Sequence, residues 1–352
     1  MLIAVDSNEV FIRKLMEEKI QWGVLGAANI ALKKVIPAMQ RCESSQVIAI
    51  ASRDVKKARS AAEQLGIRKA YGNYEELLAD PELKVVYNPL PNHLHVPWTI
   101  KAAQAGKHVL CEKPIAMTAV EAGKLLEIRN RTGLKIEEAF MVRTHPQWIK
   151  VLDLIKEGRI GTVRSISGAF SYNNRDPKNI RNVADFGGGA LMDIGCYLVY
   201  VSRLIFDQEP HRVFGVTVED PEMRTDVVTS GVLDFAAGQS VFTCSTQAVA
   251  YQRVQFFGAA GRIEVEIPFN APPDRPCRIF VDPGTDLSGR AAEIVEFPVC
   301  NQYAIQGDLF SKSVREGTPL PVPLEGSVQN MAVIDAVFRS GKSGRWEQPQ
   351  AG

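Results

Sequence analysis

The chain has 352 residues, enough for two domains, and its 45% hydrophobic and 23% charged content is that of an ordinary water-soluble protein. A formal net charge of +1 gives no electrostatic case for nucleic acid or an anionic membrane, so any charged ligand has to be met by local residues. Six scattered cysteines, with no CxxC pair and no ligand-like pairing with the five histidines, speak against a metal site or a disulfide framework and for thiols in a reducing cytoplasm.

Residues 1–19 read as a mixed amphipathic extension before the first strand, and Met16 is a natural start for the fold. A basic segment followed by a long apolar core is missing there, so no secretory signal is expected. No run is expected to reach the ~18 apolar residues of a membrane span.

From residue 20 to about 145, strand-like and helix-like segments alternate. Residues 20–25, 47–52, 84–88, 108–111 and 135–138 read as strands, and 30–41, 55–65, 74–79, 94–105 and 120–131 as helices. Gly66, Gly106 and Gly133 stand where helix C-caps belong. Such alternation predicts a doubly wound parallel sheet, an α/β dinucleotide-binding domain over residues 20–145.

After a helix from about Pro146 to Gly158 the pattern changes. Residues 163–173, 211–218, 227–235, 239–247, 253–267 and 293–299 are strand-like, and only 190–206, 303–316 and 325–340 look helical. Consecutive strands predict an α+β domain over residues 146–352 with a large, mostly antiparallel, open sheet. Its uncovered face would be buried by a second copy, as a homodimer or homotetramer.

Three stretches carry chemistry. Gly26-Ala27-Ala28-Asn29-Ile30-Ala31 follows the first strand and opens the first helix, matching G-x-G-x-x-A with Ala28 at the second glycine. A tight turn, small residues and free helix N–H groups there suit a pyrophosphate. Pro37 predicts an irregular turn inside that helix. The second strand ends on Ser52-Arg53-Asp54, where an acidic residue would meet a free ribose 2′-hydroxyl. Ser52 and Arg53 arrive first and suit a 2′-phosphate, which favours NADP, while Asp54 leaves NAD open or caps the next helix. Pro89, Leu90, Asn92 and His95 lie in the loop after the fourth strand, beside the expected cofactor, and His93 and His95 read as loop and helix-start residues rather than metal ligands.

The strand 108–111 ends on Glu112-Lys113-Pro114, on the sheet edge that presents groups to a ligand. A lysine there can donate to a substrate oxygen and can have its pKa lowered by its surroundings. Downstream, GGGALMDIGCY (187–197) brings three glycines that permit close approach, then Asp193 and Tyr197 four residues apart on one helix face. Lys113 could partner them, and its charge would favour the tyrosinate.

Residues 22–31, 105–114 and 187–197, in this order, resemble the Gfo/Idh/MocA oxidoreductases over nearly the whole chain from Ile20. Within the family the resemblance is to the group holding glucose-fructose oxidoreductase, NADP-dependent D-xylose dehydrogenase and dimeric dihydrodiol dehydrogenase. Those carry tyrosine where inositol dehydrogenase-like members carry histidine. The resemblance implies Lys113 and Tyr197 as the catalytic pair, with Asp193 touching substrate or orienting them. Glu112 and Pro114 would shape the nicotinamide pocket, Arg143 would lie near nicotinamide or substrate, and Arg181 on the substrate side. The implied activity is hydride transfer between nicotinamide and a sugar or cyclic alcohol, with Tyr197 taking the hydroxyl proton in oxidation and Lys113 hydrogen-bonding the same oxygen. Other readings stay open: a glycosidase-type enzyme with tightly held NAD, a non-catalytic nucleotide-binding regulator, or a scaffold whose open sheet serves another protein.

Overall fold

The computed structural model describes residues 19–350, so the extension expected over residues 1–19 falls, except for Lys19, outside them. Strands β1 (Ile20–Leu25), β2 (Ser45–Ala51), β3 (Lys69–Tyr71), β4 (Val85–Asn88), β5 (His108–Cys111) and β6 (Ile136–Glu138) form one parallel sheet in the order β3-β2-β1-β4-β5-β6. The central strands are apolar and buried because helices cover both faces. β3 escaped the sequence reading because three half-buried edge residues make no apolar run. The helix Val55–Leu65 starts where Asp54 accepts the N–H groups of Lys56 (2.9 Å) and Lys57 (3.4 Å), and it stops on left-handed Gly66. The helix expected over 30–41 opens with wide i→i+5 turns over Ala31–Val35 and tightens at Ile36–Met39. Pro37 has no N–H to return to Lys33, which accounts for the irregularity. Strand order reverses between β1 and β4, so a crevice opens at their C-terminal ends.

The second sheet holds β7 (Val163–Asn173), β8 (Arg212–Glu219), β9 (Asp226–Asp234), β10 (Gln239–Ser245), β11 (Gln247–Gly258), β12 (Gly261–Val265), β13 (Cys277–Asp282) and β14 (Glu293–Phe297). Its order is β14-β13-β12-β11-β7-β10-β9-β8, antiparallel throughout except for the parallel pair β7 and β10. The single strand expected over 253–267 is a hairpin, β11 turning into β12. β13 was missed because prolines at 272, 273, 276 and 283 frame it and hide the short run between them.

One face of this sheet packs on the helices Cys196–Phe206 and Leu324–Ser343, burying Val213, Leu233, Phe242, Val254 and Phe256. On the opposite face Val216 and Val218 are each 56% exposed and Val241 is 41% exposed, an apolar strip that the described residues leave uncovered. The helix Gln302–Glu316 returns to the first sheet, where Trp22 packs on Phe310 and donates to Ser311 Oγ at 2.9 Å. Burying an aromatic of this size contributes roughly 2–3 kcal/mol.

By length and mean hydropathy alone Ala184–Phe206 could cross a membrane, but charged residues interrupt it and 89% of its most apolar window is buried inside the fold. Asp193 and Arg203 within it serve polar networks of the interior.

Glu137 is also buried, with Oε1 accepting the N–H of Val322 at 2.8 Å, and burial pushes its pKa up to about 8. A raised carboxyl pKa means that the folded state holds the proton more tightly than the unfolded one. This contribution to stability is therefore fully present below the unfolded value and is lost as pH rises through about 8. Thermal melts should show the wild-type midpoint falling between about pH 5 and pH 8, with a smaller fall in Glu137→Gln.

Candidate active site

The crevice is the mouth of a cleft of about 1090 Å³ walled by both domains. On the first-domain side Gly26 has φ +86°, and a Cβ there would stand 2.9 Å from Leu90 Cδ2, so the turn requires glycine. Ala28, Asn29 and Ile30 line the cleft at the start of the first helix, and Pro89, Leu90 and Asn92 line it from the loop after β4. Ser52, Arg53 and Lys57 form its edge beyond β2. Asp54 is spent on capping, and Ser52 Oγ accepts its N–H at 3.2 Å, so the acidic competitor at this strand end faces the helix.

β5 delivers Glu112 and Lys113 to the cleft. Glu112 Oε1 accepts the Tyr87 hydroxyl at 2.6 Å, and burial raises its pKa. Lys113 Nζ donates to Asp193 twice, to the backbone oxygen at 2.6 Å and to Oδ1 at 3.2 Å. Asp193 Oδ1 and Oδ2 also accept Arg181 Nε–H at 3.1 Å each, and Oδ2 accepts the Tyr172 hydroxyl at 2.7 Å. Burial opposes the Asp193 charge, but Lys113, Arg181 and Tyr172 overcome it and hold the carboxyl at about 2. Burial likewise opposes the Lys113 charge, and Asp193 overcomes it, so the lysine pKa is raised. The sequence expectation of a lowered lysine pKa is thereby corrected: Lys113 is a permanent cationic donor. An ammonium has three protons; two are committed to Asp193 and one remains for a ligand.

Tyr197 lies beneath, its ring clasped by Phe140, Phe170 and Phe269 and its centroid 5.1 Å from Lys113 Nζ. Its hydroxyl donates to Met141 Sδ at 3.5 Å, a weak acceptor that a ligand oxygen readily replaces. Burial, with Glu112 nearby, raises its pKa well above the ordinary value. The expected push toward tyrosinate is therefore not found, because Asp193 already balances the lysine charge. Asp193 and Tyr197 share the cleft wall although Leu191–Gly195 winds in wide turns before the regular helix begins at Cys196. Close approach is real at the glycines: a Cβ on Gly188 would collide with the Arg181 carbonyl, and one on Gly189 with the Asp226 carboxylate. Asn92 Nδ2 donates to the Gly187 carbonyl at 2.8 Å, and the His93 and Phe186 rings stack, joining the two walls.

Residues 20–140 match an oxidoreductase family with an NAD-binding Rossmann fold, and residues 148–264 match the GFO/IDH/MocA C-terminal domain. The chain belongs to the Gfo/Idh/MocA oxidoreductase family. It is 48% identical to an uncharacterized oxidoreductase of Rhizobium meliloti, over 93% of this chain and 98% of that one. It is 38% identical to D-xylose 1-dehydrogenase (NADP(+)) 2 of Haloferax volcanii, over 92% and 98%. A 3-ketoreductase from Actinomadura kijaniata, solved in complex with NADP and TDP-benzene, superposes with a TM-score of 0.85 at 30% identity, covering 92% of this chain and 98% of that one. Variants of one tyrosine and of one lysine of that ketoreductase have also been solved, and the two positions stand as far apart in its chain as Lys113 and Tyr197 do here.

Most residues picked out by the Gfo/Idh/MocA resemblance converge on the cleft, with two exceptions. Arg143 is not among the lining residues, because the tight turn Met141–Thr144 aims Met141 inward and leaves Arg143 behind, toward Tyr200. Pro114 also stands back from the cleft; its carbonyl oxygen lies 2.7 Å from His95 Nδ1. His95 reaches the cleft wall, but its other nitrogen, Nε2, is 2.6 Å from the Leu90 carbonyl oxygen. Burial lowers its pKa to about 4, so at neutral pH one nitrogen donates and the ring serves the loops. Tyr172, Lys57, Met141 and Tyr303 were missed. Tyr172 was legible in principle: two residues past Phe170, it continues the buried face of β7 into the cleft. Among the described residues no group of three or more His, Cys, Asp or Glu side chains could hold a metal ion.

Proposed function

We propose that this protein is an NADP-dependent oxidoreductase that interconverts CH–OH and C=O on a sugar or cyclic polyol, with Lys113 and Tyr197 acting on one substrate oxygen. The observation that carries the reading is the spare Lys113 proton beside the weakly held Tyr197 hydroxyl, at the C-terminal edge of a parallel sheet. The cleft fits the cofactor: glycine at the turn, small residues at the helix start, and Ser52, Arg53 and Lys57 where a 2′-phosphate would lie. When bound, NADP accepts or supplies the hydride at nicotinamide C4. Lys113 donates to the substrate oxygen and stabilises its developing negative charge. Tyr197, kept protonated by burial, gives its proton to that oxygen in reduction and is left as the tyrosinate, which in the oxidative direction takes the hydroxyl proton back. Asp193 fixes the ammonium, and Arg181 and Tyr172 fix Asp193. The relatives named for D-xylose with NADP(+) and for 3-keto reduction support this reaction class. Net cofactor turnover separates this reading from a glycosidase-type use of held NAD and from a regulator.

Replacing Arg53 with alanine should raise the dissociation constant of NADPH by about tenfold and that of NADH by no more than about twofold, the scale of one lost charge-assisted bond. Fluorescence titration reads both; equal losses would show that Arg53 does not contact the phosphate. The uncovered strip on the second sheet, with Val216, Val218 and Val241, is proposed to join two copies in a homodimer or homotetramer. Sedimentation at micromolar concentration should then show no dominant monomer. Six free cysteines suit a reducing cytoplasm.

A further inference from the structure

We propose that Glu138 is a positioning residue for Lys113, gripping from inside the fold the turn that presents the ammonium to the cleft. The inference rests on the role given to Lys113 above. Glu138 ends β6 and is fully buried. Its Oε1 accepts the N–H of Ile115, two residues past Lys113, at 2.9 Å. On the same turn His95 Nδ1 lies 2.7 Å from the Pro114 carbonyl oxygen. The carbonyl of Pro114 and the amide of Ile115 are thus each met by a buried side chain, so the backbone behind Lys113 has little room to drift.

The other carboxyl oxygen, Oε2, is buried without a partner, as is the Ser327 hydroxyl on the helix Leu324–Ser343. A bare acceptor for Ile115 could be a neutral amide, and burying a carboxylate with one unpaired oxygen is costly. The surroundings give the charge a use. Lys113 from the turn and Arg203 from the helix Cys196–Phe206 both favour the ionised form, with the Ser327 hydroxyl alongside. The remaining titratable groups facing it, Cys111 of β5 and Cys196 and Tyr200 of the helix, are driven toward their neutral forms by burial. Burial brings the Glu138 pKa up to about 7, so the Ile115 hydrogen bond gains or loses its charge assistance around neutral pH.

Two variants test this in the full chain. Glu138→Leu removes acceptor and charge at similar volume. Glu138→Gln keeps the acceptor, offers Ser327 Oγ a donor and removes the charge. Glu138→Leu should lower kcat at least about tenfold with the NADPH dissociation constant within about threefold of wild type, because a small misplacement of a catalytic group costs rate rather than cofactor affinity. Wild-type kcat should rise between about pH 6 and pH 8; Glu138→Gln should recover most of the lost rate near pH 6 yet lack that rise. Wild-type kcat in Glu138→Leu, or a parallel loss of NADPH affinity, would overturn the proposal. If Glu138→Leu fails to fold, a Glu138→Gln profile identical to wild type overturns it. Lys113→Ala, assayed alongside, separates the two levels. Full activity there removes the role of Lys113 itself, whereas an inactive Lys113→Ala beside an unaffected Glu138→Leu removes only the role of Glu138.

Discussion

Lys113→Ala is expected to lower kcat by at least about a hundredfold while the NADPH dissociation constant stays within about threefold, the scale of one lost oxyanion partner. The ammonium reaches the cleft beside Tyr197 with one proton to spare, and its raised pKa keeps it charged across the physiological range. Folding should survive the change. Breaking a buried ion pair costs ~3–5 kcal/mol when a charge is left bare, but Asp193 keeps Arg181 and Tyr172. Steady-state rates with a fluorescence titration of NADPH check both halves of the expectation.

Tyr197→Phe is expected to cost about as much, again at least about a hundredfold in kcat, because it keeps the ring among Phe140, Phe170 and Phe269 and removes only the proton-exchanging oxygen. Stability should change little, since the lost bond is to a sulfur acceptor. If both residues serve one oxygen, the Lys113→Ala/Tyr197→Phe double variant should lose less than the product of the single losses.

The sheet domains, the glycine turn and the order of Lys113, Asp193 and Tyr197 were legible because each is written in local sequence: an apolar run ended by a charged pair, or a spacing of four after a glycine triplet. The spacing even survived the wide turns of Leu191–Gly195, since both side chains still face the cleft. Protonation was not legible. The Tyr197 pKa moves upward because aromatic packing excludes water and Glu112 lies near, and that of Lys113 because Asp193 and Glu112 meet it from separate segments, and no local pattern encodes that meeting. Arg143 stands off the cleft for a geometric reason, a turn of four residues that sends neighbouring side chains to opposite sides. Glu137 and Glu138 end the strand read over residues 135–138, where nothing in the local sequence marks a buried position, and the fold buries both.

The most direct test is the absorbance of reduced nicotinamide when the protein is mixed with a panel of aldoses, polyols and ketosugars, with NADP(H) and NAD(H), beside its Tyr197→Phe variant. The account predicts substrate-dependent turnover, faster with the phosphorylated cofactor and lowered at least about a hundredfold in the variant. Cofactor that is bound but never turned over on such substrates, or a Tyr197→Phe protein as active as wild type on the substrate found, would contradict it.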